Sequence, residues 1–406
     1  MGAGLGIYVS VPFCRAKCTY CNFASGVYGP ERMDAYVARL CAEIAEARGF
    51  AGRAGGELPA EVDSVFFGGG TPSLLSAVQM RAVFEALRRE FTLAEGGEIT
   101  VECAPGQLGE ETLDELLRQG LNRVSFGVQS FIDREAQAVG RSHTRALCLE
   151  EIARMRAAGI ANLNVDLIAG LPHQTARSWR ESVETAIETG VPHVSVYMLE
   201  VDEESRLGRE MLGEGRRYGA CAAPPEERVA EWYGAACEWL EAEGVAQYEI
   251  SNFARAGRAS RHNVKYWRRE PYLGFGLDAH SMLRAGGAEA VRWANGAELE
   301  EYLDGGDTRP DSSGVLPLLR RKAEVQRIGP AEGFEEALFL ELRMNAGVDL
   351  AALRAEFGAS RVEAVLAGLR DPEEARLVEV RHDRVRLTGR GRLVSNEVFE
   401  RVLVGV

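Results

Sequence analysis

Cys14, Cys18 and Cys21 fall within eight residues of one another, in the segment CRAKCTYCNF (14–23). Three thiolates at C-x3-C-x2-C spacing can hold three irons of a cubane cluster. A cluster that only transfers electrons has four cysteines, and a structural zinc is also four-coordinate. No fourth Cys or His lies nearby: Phe23 stands two residues after the third thiol, and the first histidine downstream is His143. The missing ligand leaves one iron open to an exogenous group, and an α-amino carboxylate suits it by offering nitrogen and oxygen together. The other five cysteines (Cys41, Cys103, Cys148, Cys221 and Cys237) share no motif spacing. They read as reduced, small apolar side chains.

Other residues fit chemistry of the same kind. FFGGGTP (66–72) carries three consecutive glycines, which let a ligand approach the backbone where any Cβ would intrude; alone, such a run is equally a tight turn. Arg141 in GRSH offers a planar, permanently charged fork for a carboxylate. His262 in HNVKYW (262–267) can give an imidazole nitrogen to haem iron, and Tyr266 and Trp267 can offer aromatic surface. On chemistry alone, His262 is as well explained by a hydrogen bond within the core.

The elements that must position these groups alternate in type. Strand candidates are IYVSVP (7–12), SVFFGG (64–69), EITVEC (98–103), RVSFGVQS (123–130), NLNVDLIAG (162–170) and HVSVYMLE (193–200). Between them lie helical stretches such as 31–47 and 145–159, the second ending at Gly159 as a C-cap residue. Strand and helix repeated this way predict right-handed βαβ units and a parallel sheet. Six units make an incomplete barrel or a doubly wound sheet, and periodicity does not choose between them. In both, ligands belong at the C-terminal ends of the strands.

Past residue 200 the texture changes. A loop, a helix around 229–244 and one strand, QYEISNF (247–253), are expected, and 304–317 is the most linker-like stretch. Two helices (334–345 and 349–369) followed by strands at 377–380 and 384–388 give an order like that of a winged helix. Residues 334–406 hold 11 Arg and no Lys against 13 Asp plus Glu. With no basic excess, DNA binding is disfavoured and a structural cap or protein contact is expected. The divisions are therefore 1–200, 201–303, a linker at 304–333, and 334–406. The chain of 406 residues is 46% hydrophobic and 27% charged with net charge −14, which fits a globular protein without bulk attraction to nucleic acid or anionic lipid. There is no run of 18 apolar residues and no signal-like N-terminus, and Gly6 stands where a myristoylation motif needs Ser or Thr. A cytoplasmic location is expected, with any membrane contact made through partners.

The Cys14–Cys18–Cys21 pattern after a strand resembles the signature of the radical SAM superfamily, and the first 200 residues resemble its barrel. The resemblance implies a [4Fe–4S] cluster whose open iron chelates the methionyl part of S-adenosylmethionine (SAM). One-electron reduction of the sulfonium then releases a 5′-deoxyadenosyl radical. It also implies that Gly69, Gly70 and Thr71 face the methionyl amino group and that Tyr8, Glu102, Gln129, Arg141 and Asp166 complete the SAM contacts. The fold implied is α/β, an incomplete parallel (β/α)6 barrel with a small winged-helix-like C-terminal α+β domain.

SVFFGGGTPSLL, RVSFGVQSF, DLIAGLPHQT, QYEISNFA and SRHNVKYW together are similar to the oxygen-independent coproporphyrinogen III dehydrogenase group, most closely to its branch of haem chaperones. Phe23 is informative here: the dehydrogenases carry another cysteine at that place and the chaperones a phenylalanine. The dehydrogenases also have a long N-terminal extension, whereas 13 residues precede Cys14 here. The resemblance implies haem as cargo held by His262, Tyr266 and Trp267, haem-acceptor proteins (membrane-bound respiratory enzymes among the candidates), and an electron donor for the cluster. The rival readings are radical decarboxylation of coproporphyrinogen propionates and an iron–sulfur regulator that binds DNA through the C-terminal domain.

Overall fold

The computed structural model describes residues 4–304 and 325–403. Six parallel strands form its centre: β1 (Leu5–Val11), β2 (Glu61–Gly69), β3 (Thr92–Cys103), β4 (Arg123–Gln129), β5 (Asn162–Ala169) and β6 (His193–Met198). Each strand alternates in chemistry. Ile7, Val9, Val65, Phe67, Val101, Val124, Phe126, Val165 and Val196 pack into one apolar core with the surrounding helices. The intervening residues include Ser64, Glu98, Thr100, Arg123, Ser125, Asn164, His193 and Ser195, all buried. Both faces are covered, as parallel sheets require, but the concave face is polar. Asn164 is central to it, donating to Ser125 Oγ at 2.7 Å, to Asp166 Oδ1 at 2.7 Å and to Ser195 Oγ at 3.1 Å.

The sheet is wider than six strands. Its order runs β12-β11-β10-β9-β1-β2-β3-β4-β5-β6-β8-β7. Here β7 is Ala246–Glu249, β8 Asn252–Ala254, β9 Tyr272–Phe275, β10 His280–Arg284, β11 Ala290–Ala294 and β12 Gln326–Ile328. β9 joins β1 in parallel, while β8 and β10 open antiparallel margins on the two sides. The incomplete α/β barrel expected from the sequence is present, with strands from the second half of the chain extending both edges. The single strand expected at 247–253 is instead a tight hairpin, β7 and β8. Gly159 does end its helix, at φ +89°.

The helix Arg261–Trp267 closes the barrel at the start of β1 and β2. Its N-terminus is held by Glu98, whose carboxylate accepts from the backbone N–H of Arg261 (3.0 Å) and His262 (3.1 Å); a carboxylate is favoured there by the orphan donors and the helix dipole. A Cβ on Gly6 would lie 2.9 Å from Lys265 Cδ, so the glycine lets this helix seat against β1. The C-terminal unit packs beneath the same helix. Buried Arg269 bonds Glu336 at 3.0 Å, and Glu356 bonds Arg284 at 2.8 Å.

That unit has its own apolar core, built around Phe334, Leu338, Leu353, Val385 and Phe399. Its antiparallel sheet joins Val348–Asp349, Arg384–Leu387 and Val378–Arg381. The single helix expected at 349–369 is two, Leu350–Phe357 and Ala359–Gly368, divided by Gly358 at φ +92°. Most of the expected linker lies outside the described residues. Within its remainder, Gln326–Ile328 is an edge strand of the main sheet and Pro330 opens the helix Pro330–Leu342. No helix among the described residues is long and apolar enough to cross a membrane.

Candidate functional site

The C-terminal ends of the parallel strands surround a cavity of about 500 Å³. Cys14, Cys18 and Cys21 enter it from the loop after β1. Gly69, Gly70 and Thr71 enter after β2, Glu102 from β3, Gln129 from β4, Asp166 from β5, and Arg141 from the loop after β4. Residues spread over 150 positions of sequence thus share one wall because each lies in the C-terminal half of a strand of the same sheet or in the loop that follows one.

The loop bearing the thiols is tied on several sides. Cys14 N–H donates to Gly26 carbonyl at 2.9 Å, Thr19 N–H to Val139 carbonyl at 3.1 Å, and Leu207 N–H to Thr19 carbonyl at 2.7 Å. Thr71 Oγ1 lies 3.8 Å from Cys14 Sγ. The glycine run is a constrained backbone: Gly69 has φ +99°, and a Cβ on Gly70 would meet the carbonyl oxygens of Val11 and Phe13 at 2.8 Å. The segment therefore lies flush against the start of the cysteine loop, which no larger residue at position 70 permits.

The charged groups are poised but not paired off. Burial pushes the Glu102 carboxyl up to about 8, and the nearby Asp166 charge adds to this, against the Gly69 N–H, Arg123 and Arg141. Burial raises Asp166 too, offset by hydrogen bonds from Ser195, Asn164 and Ser125. Arg141 Nη1 sits 3.5 Å from Cys18 Sγ and Nη2 donates to Gly127 carbonyl, leaving Nε without a partner among the described residues. Gln129 ends β4 at a register shift with φ +68°, and its Oε1 is buried and unpartnered. A left-handed non-glycine residue and orphaned buried polar atoms on one cavity wall are what a polar ligand resolves.

This donor set fits the group implied by the cysteine spacing. Among the described residues no three His, Cys, Asp or Glu side chains gather as a single ion requires, whereas a cubane takes one thiolate on each of separate irons. Beside the thiols, two acidic groups and one arginine match an amino acid that carries an amino group, a carboxylate and a sulfonium.

The HNVKYW segment lies away from this cavity, on the helix that closes the other end of the barrel. His262 is 1% exposed. Its Nδ1 is 3.0 Å from Ser64 Oγ, its Nε2 2.8 Å from Tyr266 hydroxyl, and its ring stacks on Phe66. Both nitrogens are engaged, so an iron would take this imidazole only by displacing Ser64 or Tyr266. Trp267 is covered by the Arg343 guanidinium, 4.5 Å from the ring centroid. Tyr266 does reach open space. With Tyr8, Ser10, Phe23, Ala24, Gly69, Tyr272, Leu277, Asp278 and His280 it lines a second cavity of about 310 Å³, which shares Phe23 and Gly69 with the first.

Burial, then Lys265 and Arg123, pull the His262 imidazole down to about 3, so it folds neutral. Between pH 6.5 and 3 the unfolded chain binds the extra proton, and stability present above pH 6.5 is lost as pH falls through that window. His262→Ala removes two hydrogen bonds and a packed ring; a loss of about 2–4 kcal/mol is expected in denaturant titrations at pH 7.5. The variant's acid-induced loss between pH 6 and 4 should be shallower than that of the wild type.

Sequence reading missed several residues. Arg123 is 2% exposed within the barrel, and its place two residues before Ser125 and four before Gly127 gave the period-two signal. Tyr197 and Asp202 line the larger cavity; Asp202 accepts from Asn22 in the cysteine loop at 2.5 Å, a contact across 180 residues without a local signature. Cys103, read as a buried apolar thiol, also lines this cavity.

Comparison with known proteins places the site in a class. Residues 8–186 match the radical SAM superfamily and residues 330–394 the HemN C-terminal domain. The fold superposes on coproporphyrinogen III oxidase (HemN) of Escherichia coli with a TM-score of 0.80 over 100% of this chain and 90% of that one, at 22% identity. The chain is thus a radical SAM protein, a class whose members hold a [4Fe–4S] cluster and SAM. It is 33% identical to the haem chaperone HemW of Bacillus subtilis over 97% of both chains. It is 32% identical to HemW of Mycobacterium tuberculosis over 99% of this chain and 95% of that one. It is also 36% identical to a mitochondrial radical SAM domain-containing protein of Bos taurus, over 84% of this chain and 74% of that one. The chain belongs to the HemW family.

Proposed function

We propose that the chain is a haem chaperone that binds haem as cargo beside a [4Fe–4S] cluster and SAM, and passes it to acceptor apoproteins. Phe23 carries this reading. It is 61% exposed and stands where the two cavities meet, one lined by thiols and charged groups, the other by aromatic rings. An apolar ring exposed at such a junction offers a surface for a flat, apolar ligand to cover.

In this reading Cys14, Cys18 and Cys21 hold the cluster, which when bound supplies one-electron reduction of the SAM sulfonium. Gly69, Gly70 and Thr71 leave room for the methionyl backbone, and Glu102 faces its amino group. Arg141 takes the carboxylate, while Tyr8, Gln129 and Asp166 complete the wall. An external electron donor serves the cluster. His262 acts through Tyr266: its hydrogen bond holds the phenol at the aromatic cavity, and Trp267 fixes the helix against Arg343. Acceptors are apoproteins with haem sites, soluble or at a membrane.

The dehydrogenase reading needs another cysteine where Phe23 stands, and the DNA-binding reading needs a basic surface on the acidic C-terminal unit. The reconstituted protein, given coproporphyrinogen III, SAM and reductant without oxygen, is expected to release no carbon dioxide and form no protoporphyrinogen. Stoichiometric vinyl formation would replace the chaperone reading with the enzyme one.

A further inference from the structure

Of the six histidines, four are engaged. His143 Nε2 lies 3.0 Å from Val128 carbonyl, and His173 Nδ1 lies 3.3 Å from Arg134. His193 is bound between Asn164 and Tyr248, and His262 between Ser64 and Tyr266. His382 occupies the turn between two strands of the C-terminal unit. His280 differs from all of them. Its residue is exposed, its side chain has no hydrogen-bond, ion-pair or ring partner among the described residues, and it lines the aromatic cavity.

The sheet explains how it gets there. β10 runs antiparallel to β9 with Met282 opposite Tyr272, which sets His280 opposite Gly274. β9 runs parallel to β1 with Gly274 opposite Tyr8. His280, Gly274 and Tyr8 therefore form one row across three strands, on the concave face. A Cβ on Gly274 would come within 2.2 Å of His280 carbonyl, so the glycine lets the His280 backbone close against β9 at the edge of the aromatic cavity. Tyr266 and Tyr272 meet edge-to-face, 4.6 Å between centroids, and also line the cavity. Asp278, two residues before His280, holds φ +56° there, a conformation uncommon outside glycine and most tolerated by Asn, Asp and His.

We infer that His280 is the axial ligand of the haem iron, with the macrocycle seated against the cavity that it lines together with Tyr8, Tyr266 and Phe23. This rests on the chaperone reading and locates its cargo. The bond formed is a dative one: an imidazole nitrogen lone pair fills an open axial position of ferric haem and displaces water, with no electron transferred. A cavity of about 310 Å³ lies at the lower end of small-ligand sites, roughly 300–1,000 Å³. It holds part of a porphyrin and leaves an edge outside for an acceptor to draw on. Phe23 and Gly69 form the shared wall, so the cargo lies next to the SAM cavity and not behind the buried His262.

The test is ferric haem titrated into anaerobically reconstituted wild type, His280→Ala and His262→Ala, read by absorbance and by the resonance Raman iron–imidazole band. Wild type and His262→Ala should both show the iron–imidazole band, although His262→Ala melts earlier and binds haem more weakly because Tyr266 loses its partner. His280→Ala should lose that band, with a dissociation constant raised about tenfold or more, keep its melting temperature, and regain the wild-type spectrum when free imidazole is added. One-to-one binding by wild type with an unchanged spectrum in His280→Ala would overturn the inference and leave the chaperone reading standing. Imidazole rescue confined to His262→Ala would return the ligand to the barrel plug and overturn it too. Absence of saturable binding by wild type would defeat the chaperone reading itself.

Discussion

Cys14→Ala, Cys18→Ala and Cys21→Ala are each expected to abolish cluster assembly. Iron after anaerobic reconstitution should fall from about four per chain to near zero. The effect is complete because the site has no spare thiolate. Cys103 also reaches the cavity wall, yet burial pushes its thiol up to about 12 against the opposing bond from Ser73, so it stays protonated and is a poor ligand. The fold should survive each change, because the apolar core lies on the outer face of the strands and the cysteine loop is anchored by backbone bonds to Gly26, Val139 and Leu207. Circular dichroism should stay unchanged, and Cys221→Ala, at an exposed thiol outside the motif, should retain full iron. A normal cluster in any of the three variants would remove that cysteine from the ligand set.

The second large effect is a pH dependence of SAM binding. With Glu102 pushed up to about 8, its carboxyl is mostly protonated at pH 7 before the ligand arrives. Arg123 and Arg141 favour its ionisation while Asp166 opposes it, and Tyr8 and Tyr197 face the same charge as phenols raised by their own burial. A ligand N–H donor prefers the ionised carboxylate, so binding below pH 8 must expel the Glu102 proton. Affinity should rise about tenfold per pH unit up to pH 8 and then level. Calorimetry in buffers of different ionisation enthalpy should show close to one proton released at pH 6.5. Glu102→Gln removes a charged hydrogen bond of about 1.5–3 kcal/mol, so binding should weaken roughly ten- to a hundredfold and lose this slope. An unchanged slope in Glu102→Gln would assign the proton to another group.

The three-cysteine loop was legible because C-x3-C-x2-C is local: three candidate donors on one loop need no tertiary information. The SAM-side residues were legible at one remove, since strand ends of a parallel sheet converge whatever the distance in sequence, and each strand was marked by its run of apolar residues. Arg123 and Asn164 were missed although their alternation with Val124 and Val165 was present, because polar residues inside a barrel resemble those of a solvated face. The margin β9 to β12 escaped, and the hairpin β7–β8 read as one strand, because strands of three to five residues carry little periodicity. The setting of His262 was not legible for a related reason. A histidine beside Tyr and Trp has the same sequence whether it faces an iron or plugs a barrel, and only the partners Ser64 and Tyr266 distinguish the two.

The central claim is that this chain carries haem, and the most direct measurement is an anaerobic titration of ferric haem into the cluster-loaded protein, followed at the Soret band against a buffer reference. The account predicts a sharp break at one equivalent, with the cluster absorbance retained and the bound haem then transferred to an added apoprotein. A straight, unsaturating rise that parallels free haem would contradict it.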